Sequence, residues 1–140
     1  WKLETQLKDV LQSETATERK QRLKQAIVPV CDNRVDVLPS NILLAVEELQ
    51  ISGLPGRENL LKRLLAEIDT EYDFILIDCP PNIGVFSINA LKASDGVIVP
   101  VDMSYVGLLG VQGVEYAFNL VKNFLDHDVN LLGVLATKFD

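Results

Sequence analysis

Residues 72–84 read YDFILIDCPPNIG, and this stretch does most to decide the predicted fold. The apolar residues 74–77 follow one another without a polar interruption and end at Asp78, after which Cys79 and two prolines follow. An uninterrupted apolar run is typical of a strand that is covered on both faces, as strands of parallel sheets are. The stretch therefore predicts a buried strand over 73–78 with Asp78 as its last residue.

The second half of the chain continues this alternation of strands and helices. Apolar runs predict strands over 96–101 and 131–137, and helices are predicted at about 84–93 and 107–126. Strand, helix, strand units with right-handed crossovers place their strands parallel in one sheet. The predicted fold class is therefore α/β, a three-layer α/β/α sandwich with a mostly parallel sheet.

The first half is predicted to be mainly helical, with one short strand. Thr15 and Glu18 have capping-box spacing ahead of a helix that runs to Ile27. Residues 35–38 form a β-prone run that Pro39 stops, and we expect this run to join the parallel sheet. Further helices are predicted for residues 3–11, for the stretch from Ser40 to Leu49, and for residues 60–68.

Length and composition predict one compact domain over residues 1–140. Of the 140 residues, 48% are hydrophobic, which is enough for a single core. No apolar stretch approaches the roughly 20 residues of a membrane span, and the amino end does not have the pattern of a signal peptide. Cys31 and Cys79 are isolated in sequence, so we expect buried, reduced thiols. These features favour a location in the cytoplasm. The turn at 52–56 is the only plausible linker between domains in the sequence.

The charge of the chain is unevenly distributed. The formal net charge is −7; residues 1–70 carry 10 basic and 11 acidic side chains, whereas residues 71–140 carry 3 and 9. An acidic surface repels phosphate backbones, so the second half does not supply a nucleic-acid-binding face. Any contact with DNA is expected to use other residues.

Asp78 is the first candidate for chemistry. Ligands of open parallel sheets gather beyond the carboxyl ends of the strands, where the crossover helices begin. A carboxylate held there by buried residues can anchor Mg²⁺ directly or through water, and the rings of Pro80 and Pro81 stiffen the chain that leaves it. The same pattern also fits an aspartate that merely caps the next helix, and the residues alone leave both interpretations open.

Four segments resemble, in this order and at this spacing, the ParA/Soj family of partition ATPases: VDVLPSN (35–41), GRENLLKRLL (56–65), YDFILIDCPPNIGVFSINAL (72–91) and ASDGVIVPVD (93–102). This family is a branch of the deviant-Walker P-loop ATPases, which also includes MinD. The resemblance implies a P-loop NTPase-like fold and a Mg²⁺-dependent ATPase that forms a homodimer around two ATP molecules. It also implies nonspecific DNA binding in the ATP state, stimulation by a ParB-like protein, and segregation of chromosomes or plasmids by a cytoplasmic, nucleoid-associated protein.

The resemblance also implies roles for individual residues. Asp78 matches the Walker B aspartate, which holds Mg²⁺ through water. Residues 79–84, here called the switch loop, match a loop that senses the nucleotide and lies near the dimer interface in the family; its matching residues are Cys79, Pro80, Pro81, Asn82 and Gly84. Thr137 and Lys138 match the end of the strand that approaches the adenine.

One family feature is missing from this sequence. The family cradles the phosphates with a glycine-rich loop of the KGGxGKT type, and no such motif occurs in the 140 residues. The resemblance therefore implies the central portion of a ParA-like domain, with the phosphate loop, the first strand and most DNA-binding residues outside the chain. Mg²⁺ and ATP are expected cofactors of the complete protein, whereas this chain alone is expected to bind neither tightly and to be inactive.

Two other functions remain as alternatives. A receiver domain of a two-component system would use Asp78 as its phospho-acceptor, with Lys138 at a later strand end and Asp32 at an earlier one. The residue after Asp32 is Asn33 rather than a second acid, and the double proline after Asp78 is foreign to that site. The second alternative is an interaction scaffold that keeps the fold without catalysis.

Three further polar residues have weaker assignments. His127, the only histidine, is expected at the surface or as a capping residue. Asp102 and Ser104 follow the strand at 96–101, so we expect them to open onto the same crevice as Asp78.

Overall fold

The computed structural model describes residues 15–40, 44–80, 82–102 and 127–137, together with 115, 116, 118, 119, 122 and 123; of 44–47 and 102 it describes the backbone. The chain forms two compact units, Trp1–Leu76 and Ile77–Asp140. The predicted helix over 3–11 lies outside the described residues. The division falls within the predicted strand 73–78 and not at the turn 52–56, and one domain over the whole chain stays a prediction.

The first described element of the first unit is helix α1, Ala16–Ala26. Its N-cap is Thr15, whose Oγ1 accepts a hydrogen bond from the backbone N–H of Glu18 at 3.3 Å. This contact satisfies one of the N–H groups that a helix start leaves without an intrahelical partner. The helix that the capping-box spacing predicts is confirmed.

A β-hairpin follows α1. Strand β1, Val28–Val30, pairs antiparallel with β2, Val35–Val37, and Val28 lies opposite Val37. The prediction that residues 35–38 join a parallel sheet was therefore wrong. Only four residues separate the two strands, and a connection that short permits an antiparallel pair, whereas parallel strands need a crossover of a dozen or more residues.

The hairpin turn is conformationally strained. Cys31, Asp32 and Asn33 have φ angles of 51, 56 and 61°, in the left-handed region. Left-handed backbone costs an L-residue about 1–2 kcal/mol, although Asp and Asn tolerate it better than other residues. The turn is closed by the backbone N–H of Arg34, which donates to the carbonyl of Cys31 at 3.2 Å.

We expect this strain to be measurable at Cys31. The Cys31→Gly variant should be more stable than Cys31→Ala by about 1 kcal/mol, because glycine adopts positive φ without a steric penalty. Urea unfolding of both variants at pH 7 measures the difference. The matched pair is Cys79→Gly and Cys79→Ala, where φ is not positive and glycine should give no gain; equal or lower stability of Cys31→Gly would contradict the prediction.

The two remaining described helices of the first unit lie where the sequence predicts them, although the helix predicted over 60–68 ends at Leu65. Helix α2 covers Leu44–Ile51, and α3 covers Leu60–Leu65 after one 3-10 turn at Arg57–Asn59. The predicted turn at 52–56 ends at Gly56, which has a φ of 68°. A second 3-10 turn, Asp69–Glu71, leads into the stretch that begins at Tyr72.

A small core joins α1 to α3. Leu23, Leu64 and Ile68 are almost completely buried, and further apolar side chains pack around them, namely Ile27, Leu38, Leu61, Leu65 and Tyr72. The apolar stripe predicted for residues 60–68 therefore faces the core. Its burial against α1 holds the first unit together, since buried apolar area is the main favourable term in folding.

Ion pairs border this core. Glu71 accepts from Lys24 at 2.8 Å and from Lys20 at 2.9 Å, and Arg19 pairs with Glu67 at 3.4 Å. The hydrogen bond from Lys24, with that from Lys20, holds the pKa of the Glu71 carboxyl below its usual value. These pairs are partly exposed, so they set the register of α1 against residues 67–71 more than they add stability.

The second unit contains the parallel strands that the sequence predicts. Helix α4, Val85–Ala93, precedes strand β3, Gly96–Asp102, and β3 pairs parallel with β4, Asn130–Thr137. These elements match the predicted helix at 84–93 and the strands at 96–101 and 131–137. Of the predicted helix 107–126, the described residues 115, 116, 118, 119, 122 and 123 are helical.

The strands of the second unit are less covered than the sequence indicates. Val99 and Val101 of β3 are buried, but Ile98 is 57% exposed. Apolar side chains on both faces of β4 are also exposed, by about half or more: Leu131, Leu132, Val134 and Leu135. The expectation that the apolar runs are buried on both faces is therefore wrong for β4, because an apolar strand is covered only where other elements lie against it.

The predicted strand 73–78 does not form. Residues 72–80 are all described and belong to no helix and no hydrogen-bonded strand, and Phe74 and Leu76 are 87% and 94% exposed. A strand exists only through hydrogen bonds to a neighbouring strand, and none of the described residues pairs with this segment. The apolar pattern indicates that the side chains of this segment prefer burial, but it does not provide the neighbouring strand that a β-strand needs.

Candidate functional site

Asp78 lies in the extended segment that ends the YDFILID stretch. Its side chain is exposed, and no ion pair reaches its carboxylate from any of the described residues. The N-cap of the next helix, α4, is Gly84, six residues further along the chain. Asp78 therefore does not cap that helix, and the alternative that the sequence left open is excluded.

Cys79 is a free and exposed thiol, as is Cys31, so the prediction that both are buried was wrong. The Sγ atom of Cys79 contacts the carbonyl oxygen of Ile77 at 3.9 Å. Although the residue as a whole is exposed, partial desolvation of its sulfur, followed by the negative charge of Asp78, raises the pKa of this thiol. A thiol with a raised pKa stays protonated at neutral pH and is a poor nucleophile.

The switch loop is attached to the start of α4. Pro80, Asn82 and Gly84 are described, whereas Pro81 lies outside the described residues. The carbonyl oxygen of Asn82 accepts a hydrogen bond from Ser87 Oγ at 2.5 Å, and Ser87 is 9% exposed. Ser87 was not among the predicted site residues, although a serine inside the apolar helix sequence VFSINAL was an available signal.

The carboxyl ends of β3 and β4 lie side by side. Asp102 is opposite Thr137 in the register, and Thr137 Oγ1 donates to the carbonyl oxygen of Val101 at 3.3 Å. This pairing confirms that two predicted strand ends meet at one edge of a parallel sheet. Lys138 and Ser104, predicted nearby, lie outside the described residues.

Two other residues of the sequence analysis can be placed. His127 is half-buried, and its Nε2 has no hydrogen-bond partner among the described residues. Asp32 lies in the hairpin turn of the first unit and not at the end of a parallel strand. The receiver interpretation needs an acid at such an end, so it loses one of its three groups.

The start of the YDFILID stretch is fixed by a polar contact. Tyr72 Oη donates to Asp36 Oδ2 at 2.7 Å, which ties the stretch to strand β2. The hydrogen bond to Asp36, with burial and the charge of that carboxylate, raises the pKa of Tyr72 above its usual value of about 10.0. The anchor therefore exists while the phenol keeps its proton.

We expect Tyr72→Phe to lower the free energy of unfolding by about 1 kcal/mol, the typical net value of a hydrogen bond. The pKa of Tyr72 is higher in the folded state than in the unfolded state. The hydrogen bond therefore contributes fully to the free energy of unfolding below pH 10.0, and this contribution is lost as pH rises through the folded-state pKa. Urea unfolding of wild type and Tyr72→Phe measures the difference in the free energy of unfolding at pH 7, 9 and about 10.5. The difference should be constant at the two lower values and begin to shrink at the highest. Asp36→Asn and the double variant complete a cycle; additive effects at pH 7 would contradict a direct contact.

The described residues fit one part of a Mg·ATP site. They contain no group of three or more His, Cys, Asp or Glu side chains that could hold a metal ion. Mg²⁺ in nucleotide sites is usually held by one or two carboxylates together with phosphate oxygens and waters. The exposed Asp78 carboxylate fits that role if a nucleotide is present, whereas the phosphate-cradling loop is missing from this sequence.

The described residues contain no helix with both the length and the apolar character that crossing a membrane requires.

Comparison with solved structures defines the class. The chain is similar to a structure described as cobyrinic acid a,c-diamide synthase from Mycobacterium smegmatis, with a TM-score of 0.81 and 34% identity over 96% of this chain and 52% of that one. Further structures of that protein contain an ATP analogue or ADP with magnesium. A structure described as a partition protein gives a TM-score of 0.72 and 25% identity over 96% of this chain and 41% of that one. The fold is the α/β fold of the P-loop ATPases.

Sequence comparison defines the family. Residues 2–131 match the family model AAA_31, described as an AAA domain. The sporulation initiation inhibitor protein Soj of Bacillus subtilis is 42% identical over 106 residues, 76% of this chain and 42% of that protein. The chromosome partitioning protein ParA of Myxococcus xanthus is 36% identical over 106 residues, 76% of this chain and 38% of that protein.

The chain belongs to the AAA-domain family and, within it, to the ParA/Soj group of P-loop ATPases. It spans about two fifths of the length of these curated relatives and about half of the synthase structure.

Proposed function

We propose that this chain is part of a Mg²⁺-dependent ATPase that couples ATP binding, dimerisation and hydrolysis to the partitioning of chromosomes or plasmids. The proposal depends on the match of residues 2–131 to the AAA-domain family model, together with the similarity to Soj and to ParA over 106 residues. The exposed Asp78 carboxylate supports it, since it lies next to the switch loop and does not serve as a helix cap.

In this proposal Asp78 holds Mg²⁺ through water, and the bound ion would supply neutralisation of the phosphate charge. The switch loop, with Cys79, Pro80, Pro81, Asn82 and Gly84, lies against the nucleotide and responds to its state. Thr137 and Lys138 lie near the adenine.

The proposed partners follow the family. They are a second copy of the protein, a ParB-like protein, and nonspecific DNA bound through regions outside this chain, because residues 71–140 have a net charge of −6 and repel phosphate backbones. The proposed location is the cytoplasm, on the nucleoid, with no membrane partner.

Hydrolysis of ATP by the full-length gene product tests the proposal. We expect phosphate release that requires Mg²⁺ and rises when DNA and a ParB-like protein are both present. Omission of each component in turn is the control. Absence of hydrolysis, or a hydrolysis rate that neither DNA nor the ParB-like protein changes, would contradict partitioning as the function.

A second candidate is ATP-dependent amide synthesis. It is favoured by the similarity to the structure described as cobyrinic acid a,c-diamide synthase, at a TM-score of 0.81. ATP consumption by the same gene product that depends on cobyrinic acid and an ammonia donor, and not on DNA, would favour this candidate over partitioning.

A further inference from the structure

Ser87 makes the contact on which a further inference depends. Its hydroxyl donates to the carbonyl oxygen of Asn82 at 2.5 Å, at the short end of the range for O–H···O hydrogen bonds. The donor lies in the first turn of α4 and the acceptor lies in the switch loop. The bond therefore joins a rigid helix to the chain that leaves Asp78.

The start of α4 is otherwise weakly specified. Its N-cap, Gly84, has no side chain that could accept a hydrogen bond from the first turn. Helix starts are usually fixed by Ser, Thr, Asp or Asn at the N-cap. Here the polar side chain belongs to the helix itself, and it donates to a carbonyl oxygen of the preceding loop. Ser87 therefore fixes the loop that enters the helix, which a side chain at the N-cap would usually do.

Burial makes this bond difficult to exchange for water. Ser87 is 9% exposed, and Asn89, two residues along the same helix, is 2% exposed. Buried polar groups are costly unless they are hydrogen-bonded. Asn89 Nδ2 donates within the helix, to the carbonyl of Val85 at 2.8 Å, whereas Ser87 donates outside it. Of these two buried groups, Ser87 is the one that restrains the switch loop.

The restraint at Asn82 extends to Asp78. Three residues separate them, and two of the three are proline. A proline ring fixes its own φ and restricts the residue before it, so the backbone between the two positions is stiffer than an ordinary chain of the same length. A hydrogen bond that fixes Asn82 therefore also narrows the positions that the Asp78 carboxylate can occupy.

We propose that Ser87 is a positioning residue, whose hydroxyl holds the switch loop against α4 and thereby sets the position of Asp78 relative to the bound Mg·ATP. This inference rests on the proposed function. In this role Ser87 contacts no reacting atom. It acts by reducing the number of conformations that the switch loop can adopt before the site is assembled.

The test combines two measurements on the full-length gene product. Hydrogen exchange without nucleotide reports the loop itself, and steady-state hydrolysis of Mg·ATP reports the site. In Ser87→Ala we expect the amide of Ile88, which donates to the carbonyl of Gly84 at 3.1 Å, to exchange about tenfold faster, because the restraint on the loop before it is gone. We expect kcat to fall about tenfold, as a misplaced catalytic group reduces it. The melting temperature should fall by only about 2–4 °C, as expected for the loss of one buried hydrogen bond.

Two variants serve as controls. Ser87→Thr keeps the hydroxyl, so its amide exchange rate and its kcat should both be close to those of the wild type. Ser94→Ala removes the partly buried serine at the C-cap of the same helix, whose Oγ donates to the carbonyl of Leu91 at 3.2 Å, and it should change neither the exchange rate nor kcat. If Ser87→Ala does not fold, Ser87→Cys replaces it, because a thiol of similar size is a weaker donor and should give an intermediate increase in exchange.

The outcomes separate the inference from the function on which it rests. Unchanged exchange in Ser87→Ala would overturn the restraint. Faster exchange with unchanged kcat would overturn the positioning role while leaving the ATPase intact. Absence of hydrolysis in the wild type would overturn the proposed function and the positioning role, and the exchange data would then decide whether Ser87 holds the loop.

Discussion

Replacing Asp78 by alanine in the full-length gene product is expected to lower the kcat of Mg²⁺-dependent ATP hydrolysis roughly a hundredfold or more, because the proposed anchor of the metal is lost. The exposed carboxylate, with no ion pair from the described residues, is available for that role. Its removal should leave the folded state almost unchanged, since an exposed aspartate that caps no helix contributes little stability. A phosphate-release assay over a Mg²⁺ titration measures the effect.

The matched control is Asp73→Ala, which removes another exposed aspartate of the same extended segment and should leave kcat within about twofold of wild type. Asp78→Asn keeps the size of the side chain and removes only the charge, so it should resemble Asp78→Ala if the charge holds the metal. Hydrolysis by Asp78→Ala within about threefold of wild type, roughly 0.7 kcal/mol in activation free energy, would mean that Asp78 does not anchor the ion.

The 140-residue chain by itself is expected to bind Mg·ATP with a dissociation constant of about 1 mM or weaker. Phosphate binding requires N–H donors and positive charge that converge on one place. This sequence contains no glycine-rich phosphate loop, and residues 71–140 carry a net charge of −6. Asp78 without phosphates to share its metal is a poor Mg²⁺ ligand.

Isothermal titration of the purified chain with Mg·ATP measures this constant, and Asp78→Ala titrated in the same way is the control. Sedimentation should accompany the titration, because the exposed Phe74 and Leu76 lie on a segment with unpaired backbone that favours self-association. A dissociation constant in the low micromolar range that Asp78→Ala weakens would show that the chain contains a complete nucleotide site.

Local features could be predicted well from the sequence. The N-cap contact at Thr15, the apolar stripe of α3 and helix α4 depend on contacts close in sequence or on periodic burial, and the structure confirms each of them. The parallel pairing of β3 with β4 is also confirmed, although it joins distant parts of the chain; it could be predicted because strand, helix, strand units have one favoured handedness. Asp78 could be singled out for the same reason, since an acidic residue that ends an apolar run is visible in the sequence. The family could be recognised from four segments of the chain, and the comparisons confirm it.

Other features depended on which backbone groups find partners, and that was decided only in the tertiary structure. Val35–Val37 pairs with Val28–Val30 because the turn between them is short, whereas residues 73–78 have the stronger strand sequence and no neighbour among the described residues. The attachment of the switch loop by Ser87 was equally hidden. Amino-acid pattern determines which face of a segment prefers burial, but strand pairing and buried hydrogen bonds need a second group brought close by folding, and its identity is not written in the segment itself.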